Sequence, residues 1–552
     1  MRNAVLLAGG LALAFNAGAA SYTITQLTND TFQNEYSKVN AQGDVIWTAW
    51  VNTTDAGWTV FKYEAASQAT TALSTGNVFF DSHRINNVGD VVWMGSDGSD
   101  QEIFLYQAAT KSVVQLTNNT LDDTAPEISD SGDVSWFEQR GVNVGAFLFR
   151  YDAQTQTVAG LDFPGASRQG GHTMNARGDI AWNAEVTMIE IQNGQPVPVT
   201  NAQDILLFDA ATGTVSNVTN SYGAIDSNQH LLNNGDVVWE AYDAIPSLKV
   251  YHAATASVTD IAADVSSGYR VGSGGHAVWV TDNTASATPG YTLSVYDPVT
   301  GNVRDITTEA AAFPQGITGV SAHGDAVWRS IVGTNWYSRH YNAATQSIVD
   351  LTVTQAFGTY DLVMADNGDA MWSLSDGTDY EVYSYQIATG ATTQLSNNTV
   401  DDGIAVMNAA GSIVWNRFFL DDNELMLAVK TDAAPELSLD VTQVRWDARA
   451  AAAEVEATFV FGATPSAGDV ISVSFDGASL LNVALGDFDT DGAGVYRYRS
   501  AQTRAKIDFN QGTLKVVSRD GDTASVNIRD GIDVELHIGA SSAVDHVRRP
   551  RR

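Results

Sequence analysis

Residues 86–93 read Asn-Asn-Val-Gly-Asp-Val-Val-Trp, a polar turn that leads into a short apolar strand. The spacing within this stretch, a glycine followed four residues later by a tryptophan, recurs nine times. The pairs are Gly43/Trp47, Gly89/Trp93, Gly132/Trp136, Gly178/Trp182, Gly235/Trp239, Gly275/Trp279, Gly324/Trp328, Gly368/Trp372 and Gly411/Trp415. Nine of the 13 tryptophans therefore share one phase, at intervals of 40 to 57 residues. Repetition at this period indicates an array of one supersecondary unit.

Each copy divides into four short apolar segments separated by turn residues. In the third copy they are Ala125–Ile128, Val134–Phe137, Ala146–Tyr151 and Thr157–Leu161. Gly and Asn in the first turn accept the positive φ that tight hairpins require. Four strands every 40 to 50 residues is the period of a propeller blade, so the sequence predicts an all-β protein with a β-propeller.

The ends of the array predict how the propeller closes. The ninth copy has three strands between Ile404 and Val429 but no fourth. Near the N-terminus, Thr23–Thr28 matches the fourth strand Val113–Thr117, so we expect it to complete the last blade and close the ring. Because the sixth and ninth copies lack the Gly-Asp pair and natural propellers usually have four to eight blades, eight blades is the alternative to nine.

Three segments of the repeat resemble a known family. Leu116-Thr117-Asn118-Asn119, Ala125-Pro126-Glu127-Ile128-Ser129 and Ile103-Phe104-Leu105-Tyr106 are similar to the TolB-type repeat of exported bacterial propellers. The resemblance covers residues 22 to about 432 and implies the propeller fold. It does not include the N-terminal α/β domain of TolB, so a role in that envelope system is not implied.

The chain is predicted to have four parts. Residues 1–20 have the basic start, apolar run and small residues of a secretory signal peptide, which predicts a soluble protein of the bacterial periplasm or exterior. Residues 21–433 form the propeller. Residues 434–545 alternate apolar and polar side chains over short runs, which predicts a β-sandwich. Residues 546–552 form a basic tail.

Composition narrows the classes of partner. The chain has 64 acidic and 29 basic residues, a formal net charge of −35, and no cysteine. This charge repels nucleic acid, and no segment after the signal is long enough to insert in a membrane. We expect a monomer without disulfides that binds an unidentified protein or glycan.

Three sets of residues suggest structural roles or metal binding. The nine repeat tryptophans are interpreted as packing between blades. The aspartates of the Gly-Asp pairs are interpreted as turn residues that bond their own backbone: Asp44, Asp90, Asp133, Asp179, Asp236, Asp325 and Asp369. Asp487, Asp489 and Asp491 begin like a calcium loop, but Tyr498 replaces its last ligand, so an acidic turn is favoured. No other cofactor is expected.

The first strands carry the candidate ligand-binding residues. His83 and His172 lie six residues before the glycine of their copies and His230 lies five before. The basic residues Lys38, Arg84 and Arg270 also lie five before, and Asp81 adjoins His83 and Arg84. At this coarse level the pattern is similar to propeller polysaccharide lyases that hold a metal with histidines. The candidates are Asp81, His83, Arg84, His172, His230 and Arg270.

The residues favour a non-catalytic scaffold that binds a protein or glycan on its loops. The first strands and the insertion between Ala184 and Asn201 are the expected contact regions. The alternative is a polysaccharide lyase or other glycan-cleaving enzyme that uses His83, His172 or His230. Serine-hydrolase, paired-histidine zinc and phosphate-loop motifs are not found in the sequence.

Overall fold

The computed structural model describes residues 21–547 except 52–56, 142–144, 193–194, 201–202, 220–224, 243–244, 266–267, 283–289, 310–311, 356–358, 420–421, 432–436, 448–451, 462–469, 476–477, 491–493, 510, 512, 520–531 and 539–540. Residues 1–20, predicted to be a signal peptide, and the arginines of the basic tail lie outside these residues. The chain divides into two compact units, Met1–Lys430 and Thr431–Arg552.

The first unit is built from strands β1 to β37. Strand β1 is Ser21–Gln26. Blade 1 contains β2 (Gln33–Val39), β3 (Val45–Val51), β4 (Gly57–Glu64) and β5 (Ala69–Ala72). Blade 2 contains β6 (Arg84–Ile85), β7 (Val91–Ser96), β8 (Gln101–Gln107) and β9 (Ser112–Gln115). Blade 3 contains β10 (Asp123–Ile128), β11 (Val134–Gln139), β12 (Ala146–Asp152) and β13 (Thr157–Gly160).

Blade 4 contains β14 (Ala166–Met174), β15 (Ile180–Gln192), β16 (Gln195–Thr200), β17 (Asp204–Asp209) and β18 (Thr214–Asn217). Blade 5 contains β19 (Ile225–Leu231), β20 (Val237–Tyr242), β21 (Pro246–His252) and β22 (Ser257–Ala263). Blade 6 contains β23 (Tyr269–Val271), β24 (Ala277–Asp282), β25 (Tyr291–Asp297) and β26 (Asn302–Glu309).

Blade 7 contains β27 (Ala312–Val320), β28 (Ala326–Val332), β29 (Asn335–Asn342) and β30 (Ser347–Thr354). Blade 8 contains β31 (Thr359–Met364), β32 (Ala370–Ser375), β33 (Tyr380–Gln386) and β34 (Ala391–Gln394). Blade 9 contains β35 (Asp402–Met407), β36 (Ile413–Phe418) and β37 (Asn423–Thr431), and β1 pairs with β37 as its fourth strand.

The described part of this unit therefore contains nine antiparallel blades of four strands each, with β16 as an additional strand in blade 4, and this is the architecture of a β-propeller. We call the four strands of a blade a to d. The a strands of neighbouring blades contact one another, whereas d strands such as β9 and β13 are exposed. The turns between a and b and between c and d share one end of each blade, the turn face. The b–c hairpins and the connections between blades share the other end, the loop face.

The nine repeat tryptophans are buried, with at most 3% of each side chain exposed. They lie among apolar side chains of their own and adjacent blades. Trp136, for example, belongs to one cluster with Val92 and Ile103 of blade 2. The interpretation of these residues as inter-blade packing is confirmed, and carbohydrate stacking by them is excluded by burial.

The aspartates of the Gly-Asp pairs have a structural role that differs from the expected one. In all seven, Oδ1 accepts a hydrogen bond from a backbone N–H in the c–d turn of the same blade, not from the aspartate's own turn; Asp133 accepts from Ala153 at 2.8 Å. The a–b turn is bonded by the residue three before glycine, such as Asn86, whose Oδ1 accepts from Asp90 N at 2.8 Å. The aspartate thus joins two turns of one blade.

Side chains at the a–b turns also connect successive blades. Asn40 Nδ2 donates to the carbonyl of Asn86, and Asn86 Nδ2 donates to that of Ser129, at 3.1 and 2.9 Å. The same bond joins blade 9 to blade 1, since Asn408 Nδ2 donates to Asn40 O at 2.9 Å. Contacts between β2 and β35 and between β2 and β36 accompany it.

The insertion in blade 4 lengthens its second strand. β15 continues past the blade and pairs with β16, from Thr187 opposite Thr200 to Gln192 opposite Gln195. The long spacing between the fourth and fifth tryptophans is therefore a β-hairpin extension on the loop face.

The second unit is a β-sandwich of two antiparallel sheets. Its elements are β38 (Leu437–Asp447), β39 (Ala452–Phe461), β40 (Val470–Phe475), β41 (Ala478–Ala484), the 3-10 helix η1 (Leu485–Asp487), β42 (Asp489–Thr490), β43 (Val495–Arg499), β44 (Thr503–Asp508), β45 (Thr513–Ser518), β46 (Ile532–Ile538) and β47 (Ser541–Val547). One sheet has the order β38-β39-β45-β44-β43-β42 and the other β41-β40-β46-β47. Buried residues from both sheets, including Val455, Val473 and Val516, form one apolar core.

Candidate functional site

The a strands contain a repeated backbone irregularity. In five blades the residue seven before the turn glycine is not glycine yet has positive φ: Tyr36 (57°), Ala125 (53°), Asn228 (55°), Asp361 (51°) and Ile404 (50°). The pairing of strands a and b shifts register at the same place in each. These β-bulges redirect side chains, and bulges of this kind are common beside functional sites.

In blade 1 the bulge belongs to an exposed aromatic cluster, formed by Tyr36, Trp50, Trp58 and Phe80. Tyr36 lies 5.6 Å from Phe80 and 6.3 Å from Trp58, measured between ring centres. Trp58 lies 5.6 Å from Trp50 and 6.1 Å from Phe80. Phe80 is 56% exposed and Trp50 is 40% exposed. Contiguous exposed aromatic groups of this kind mark binding surfaces.

A charged cluster, formed by Lys38, Asp81, Arg84 and Glu127, lies beside the aromatic one and spans blades 1 to 3. Lys38 Nζ lies 2.5 Å from Asp81 Oδ1, and Arg84 Nε lies 3.1 Å from Glu127 Oε1. Burial lowers the pKa of Lys38 and raises that of Glu127, while Lys38 holds the pKa of Asp81 below its ordinary value against the effect of burial. Two positive and two negative groups give the cluster no net charge.

His83 lies beneath both clusters and joins blade 2 to blade 1. It is fully buried, and its Nε2 lies 2.8 Å from the carbonyl oxygen of Tyr36. Burial lowers the pKa of His83 to about 3, with the positive charge of Lys38 acting in the same direction. His83 is therefore neutral near pH 7, and its contact fixes the backbone of Tyr36.

The other sequence candidates lie in separate surroundings. His172 packs edge-on against Phe137 at 4.8 Å, and burial, with the charge of Arg84, lowers its pKa to about 4. His230 packs against Tyr269 at 5.3 Å in blades 5 and 6, where burial and the charge of Arg270 lower its pKa. Arg270 is exposed and donates to Tyr269 O at 2.9 Å. The structure thus places Asp81, His83 and Arg84 together, with His172 nearby, and His230 and Arg270 elsewhere.

No histidine belongs to a possible metal-binding group in the described residues. The groups found there, in which three ligand atoms lie within 4.8 Å of one another, are both acidic: Asp97, Asp100 and Glu102, and Asp376, Asp379 and Glu381. Asp487 ends η1 and Asp489 begins β42, and neither belongs to such a group. Asp491 lies outside the described residues.

Sequence reasoning did not identify the aromatic cluster, although a signal was present. Of the 13 tryptophans, four fall outside the repeat phase: Trp50, Trp58, Trp336 and Trp446. The repeat does not require a tryptophan at these four positions, so each is a candidate for a role other than packing between blades. Trp50 and Trp58 both lie at the loop face of blade 1. Tyr36 joins the aromatic cluster because of the bulge in β2, and Phe80 joins it from the connection between blades 1 and 2. The sequence repeat reveals neither feature.

The fold and this surface define an all-β repeat protein of the β-propeller type with an exposed aromatic and charged surface on its loop face. Among the described residues there is no helix with the length and apolarity needed to cross a membrane.

No family profile matches the chain, and no curated protein matches it. Solved structures similar to it include dipeptidyl peptidase 4 of Porphyromonas gingivalis, with 12% identity and a TM-score of 0.46 over 69% of this chain and 64% of that one. An oligogalacturonate lyase of Vibrio parahaemolyticus has 10% identity and a TM-score of 0.36 over 74% and 98%. TolB of Acinetobacter baumannii has 12% identity and a TM-score of 0.24 over 54% and 79%. The chain thus spans less than two thirds of the peptidase, and similarity at these levels carries no information about activity.

Proposed function

We propose that this chain is an exported, non-catalytic binding protein and that the loop face of blades 1 to 3 binds a neutral glycan. The observation that carries this proposal is the exposed aromatic cluster of Tyr36, Trp50, Trp58 and Phe80 beside paired charges. Sugar rings offer apolar C–H faces that pack on aromatic rings and hydroxyl edges that bond to charged groups. Such a combination of aromatic area and a few fixed polar groups is typical of ligand sites.

The charges of the site favour a neutral ligand. Lys38 and Arg84 are each paired with a carboxylate, so the surface offers hydrogen-bonding groups without net charge. The chain as a whole carries −35, which disfavours polyanions. A neutral oligosaccharide does not have to break the ion pairs of the site, and it is not repelled by the net negative charge of the chain.

Binding without catalysis is supported by the state of the histidines. Burial lowers the pKa of His83 to about 3 and that of His172 to about 4, so neither is poised to exchange protons near pH 7. Metal ligands must converge on one ion, and the described groups of suitable geometry contain no histidine. A polysaccharide lyase that uses these histidines is the alternative that the experiment below tests.

The proposal includes a closed ring, a TolB-type relationship and export to the bacterial periplasm or exterior. Closure is supported by the pairing of β1 with β37 and by the bond from Asn408 to Asn40. The TolB-type relationship rests on the resemblance of the Leu-Thr-Asn-Asn segment. In this chain the segment has a structural role, since Thr117 Oγ1 accepts from Ile103 N and Asn119 N donates to Glu102, both at 2.9 Å.

The test is binding of the mature chain to a panel of neutral and acidic oligosaccharides, followed by calorimetry on those retained. We expect a neutral glycan to bind and Trp50→Ala and Phe80→Ala each to weaken binding at least tenfold, as for aromatic residues central to an interface. Tyr242→Ala, which removes an aromatic side chain of similar exposure (39%) in blade 5, is the matched control and should bind normally.

The same samples distinguish the alternatives. A ligand whose affinity neither variant changes would place the binding site elsewhere. Binding to no oligosaccharide of the panel would overturn the proposal that the ligand is a glycan. Shortened glycans with unsaturated ends would overturn the non-catalytic reading, and loss of that activity in His172→Ala would assign it to the lyase alternative.

A further inference from the structure

Two b–c hairpins on the loop face share a sequence and a conformation. Residues 96–102 read Ser-Asp-Gly-Ser-Asp-Gln-Glu and residues 375–381 read Ser-Asp-Gly-Thr-Asp-Tyr-Glu, in blades 2 and 8. The glycine has positive φ in both, 106° and 102°. In both, the first aspartate accepts a hydrogen bond from the backbone N–H two residues later, at 2.9 and 2.7 Å.

Each hairpin brings three carboxylates together. One oxygen atom each of Asp97, Asp100 and Glu102 lies within 4.8 Å of the others. Asp376, Asp379 and Glu381 have the same arrangement in blade 8. Each set carries up to three negative charges, and the described ion pairs include none of its members.

Several of these carboxylates are buried and have unsatisfied oxygen atoms. Asp379 is 6% exposed, and neither of its carboxylate oxygens has a hydrogen-bond partner. Glu102 is fully buried, and its Oε2 has no partner. Both oxygens of Asp100 are also buried without a partner. An unpaired buried carboxylate is costly, so such groups are normally protonated, paired with a basic side chain or bound to a metal ion.

The surrounding chain holds the carboxylates in place without neutralising them. Glu102 Oε1 accepts from Asn119 N at 2.9 Å, and Glu381 Oε1 accepts from Asn398 N at 2.7 Å. Two further carboxylates adjoin the hairpins, because Asp122 accepts from Gln101 N and Asp401 accepts from Tyr380 N.

We propose that each of these two hairpins binds a calcium ion through its three carboxylates. All the ligand atoms are oxygens, which are preferred by hard cations, whereas transition metals favour nitrogen and sulfur. Calcium accepts six to eight oxygen ligands in irregular geometry, which a hairpin can supply together with backbone carbonyls and water. Magnesium demands a near-ideal octahedron and gives up its waters reluctantly.

Blade 9 provides an internal comparison. Its b–c hairpin has Asp422 and Glu424 at the positions of the second aspartate and the glutamate, but Phe419 at the position of the first aspartate. There Glu424 is satisfied within the protein: Thr28 Oγ1 donates to Oε2 at 2.5 Å and Asp30 N donates to Oε1 at 3.0 Å. Where the first aspartate is missing, the glutamate bonds protein donors at both oxygens.

The test is calorimetric titration of the mature chain, freed of metal by a chelator, with CaCl2 and separately with MgCl2. We expect two calcium ions per chain and a rise in melting temperature of several degrees. Asp97→Asn and Asp376→Asn should each remove one ion, and the double variant should remove both ions and the rise in melting temperature. Asp422→Asn in blade 9 is the matched control and should retain both ions.

The variants are chosen to preserve folding, since Phe419 replaces the equivalent residue in blade 9. Absence of calcium binding by the folded wild-type chain would overturn the proposal. If the double variant still bound calcium, the ions would not be located in these two hairpins. Binding of magnesium but not of calcium would overturn the assignment to calcium.

Discussion

Tyr36 shows how one residue connects the fold to the candidate site. Its φ of 57° is unfavourable for a residue with a side chain, at a cost of about 1–2 kcal/mol. Its carbonyl oxygen lies 2.8 Å from His83 Nε2, and its ring contacts Phe80 and Trp58. Packing from two blades therefore holds a strained residue in the position where it contributes to an exposed surface.

Trp239 and Trp182 occupy the same repeat position but differ in their hydrogen bonds. Trp239 Nε1 donates to Asp226 Oδ1 at 2.9 Å, whereas Trp182 Nε1 is buried without a partner. We expect Trp239→Phe to lower the free energy of unfolding by about 1–3 kcal/mol more than Trp182→Phe, because a buried carboxylate oxygen loses its donor. Urea denaturation of both variants measures the difference, and equal losses would contradict it.

His83 predicts a pH dependence of stability. The unfolded chain protonates histidine near pH 6.5, whereas the pKa of buried His83 is lowered to about 3. Between these values the unfolded state binds more protons, so stability contributed by neutral His83 falls as the pH is lowered from 6.5 toward 3, by about 1.4 kcal/mol per unit.

The measurement is urea denaturation at pH 7, 6, 5 and 4 for the wild-type chain and for His83→Asn. The variant should lose less stability than the wild type over this range. His252→Asn, which replaces a partly exposed histidine in blade 5, is the control and should follow the wild type. Parallel curves for wild type and His83→Asn would contradict the prediction.

At the scale of the element, the Gly-Asp pair makes contacts between neighbouring blades as well as within its own blade. A Cβ atom on Gly178 would lie 2.7 Å from Asp133 Oδ2 of the preceding blade. The same carboxylate oxygen lies 2.9 Å from Arg150 Nη2. Glycine is thus required both by a φ of 87° and by the close approach of the neighbouring blade.

The two requirements can be separated by comparing two glycines. Gly178→Ala should reduce the free energy of unfolding by about 1–3 kcal/mol more than Gly213→Ala, because alanine must displace the Asp133 carboxylate as well as adopt positive φ. Gly213 also has positive φ, 68°, but an added Cβ there meets nothing within 4 Å. Thermal and urea denaturation provide the values. An equal cost at both sites would mean that backbone conformation alone requires glycine at Gly178.

At the scale of the whole molecule, β1 joins the two ends of the first unit. Leu27 N donates to Leu425 O at 2.8 Å, and Leu425 N donates to Thr28 Oγ1 at 2.8 Å. Without this strand, β37 would present an unpaired edge, which favours association with other chains.

Deletion of residues 21–28 from a chain that begins at Ser21 should therefore lower the free energy of unfolding by at least about 3 kcal/mol, from several backbone hydrogen bonds of about 1 kcal/mol each. It should also produce dimers or larger species. Scanning calorimetry and light scattering measure the two effects, and removal of residues 548–552 is the control. A stable monomer after the deletion would show that β1 is not needed to hold blades 9 and 1 together.

The sequence by itself determined the all-β repeat and the positions of its turns. Each copy carries the same local information: alternating apolar residues for the strands, glycine where φ is positive, and a tryptophan in one phase. Because every blade packs against a copy of itself, local pattern and tertiary contact agree, and the third copy folds within two residues of its predicted strand bounds.

The candidate site was decided by tertiary structure. Sequence spacing placed His83 and Arg84 side by side, but in the structure Arg84 pairs with Glu127 of blade 3, whereas His83 is buried against Tyr36 of blade 1. The aromatic cluster likewise combines a bulge, a hairpin and a connection between blades, which no single repeat contains. Such contacts form between residues of adjacent blades. The repeat specifies the backbone there, whereas the side chains that form the surface differ from copy to copy.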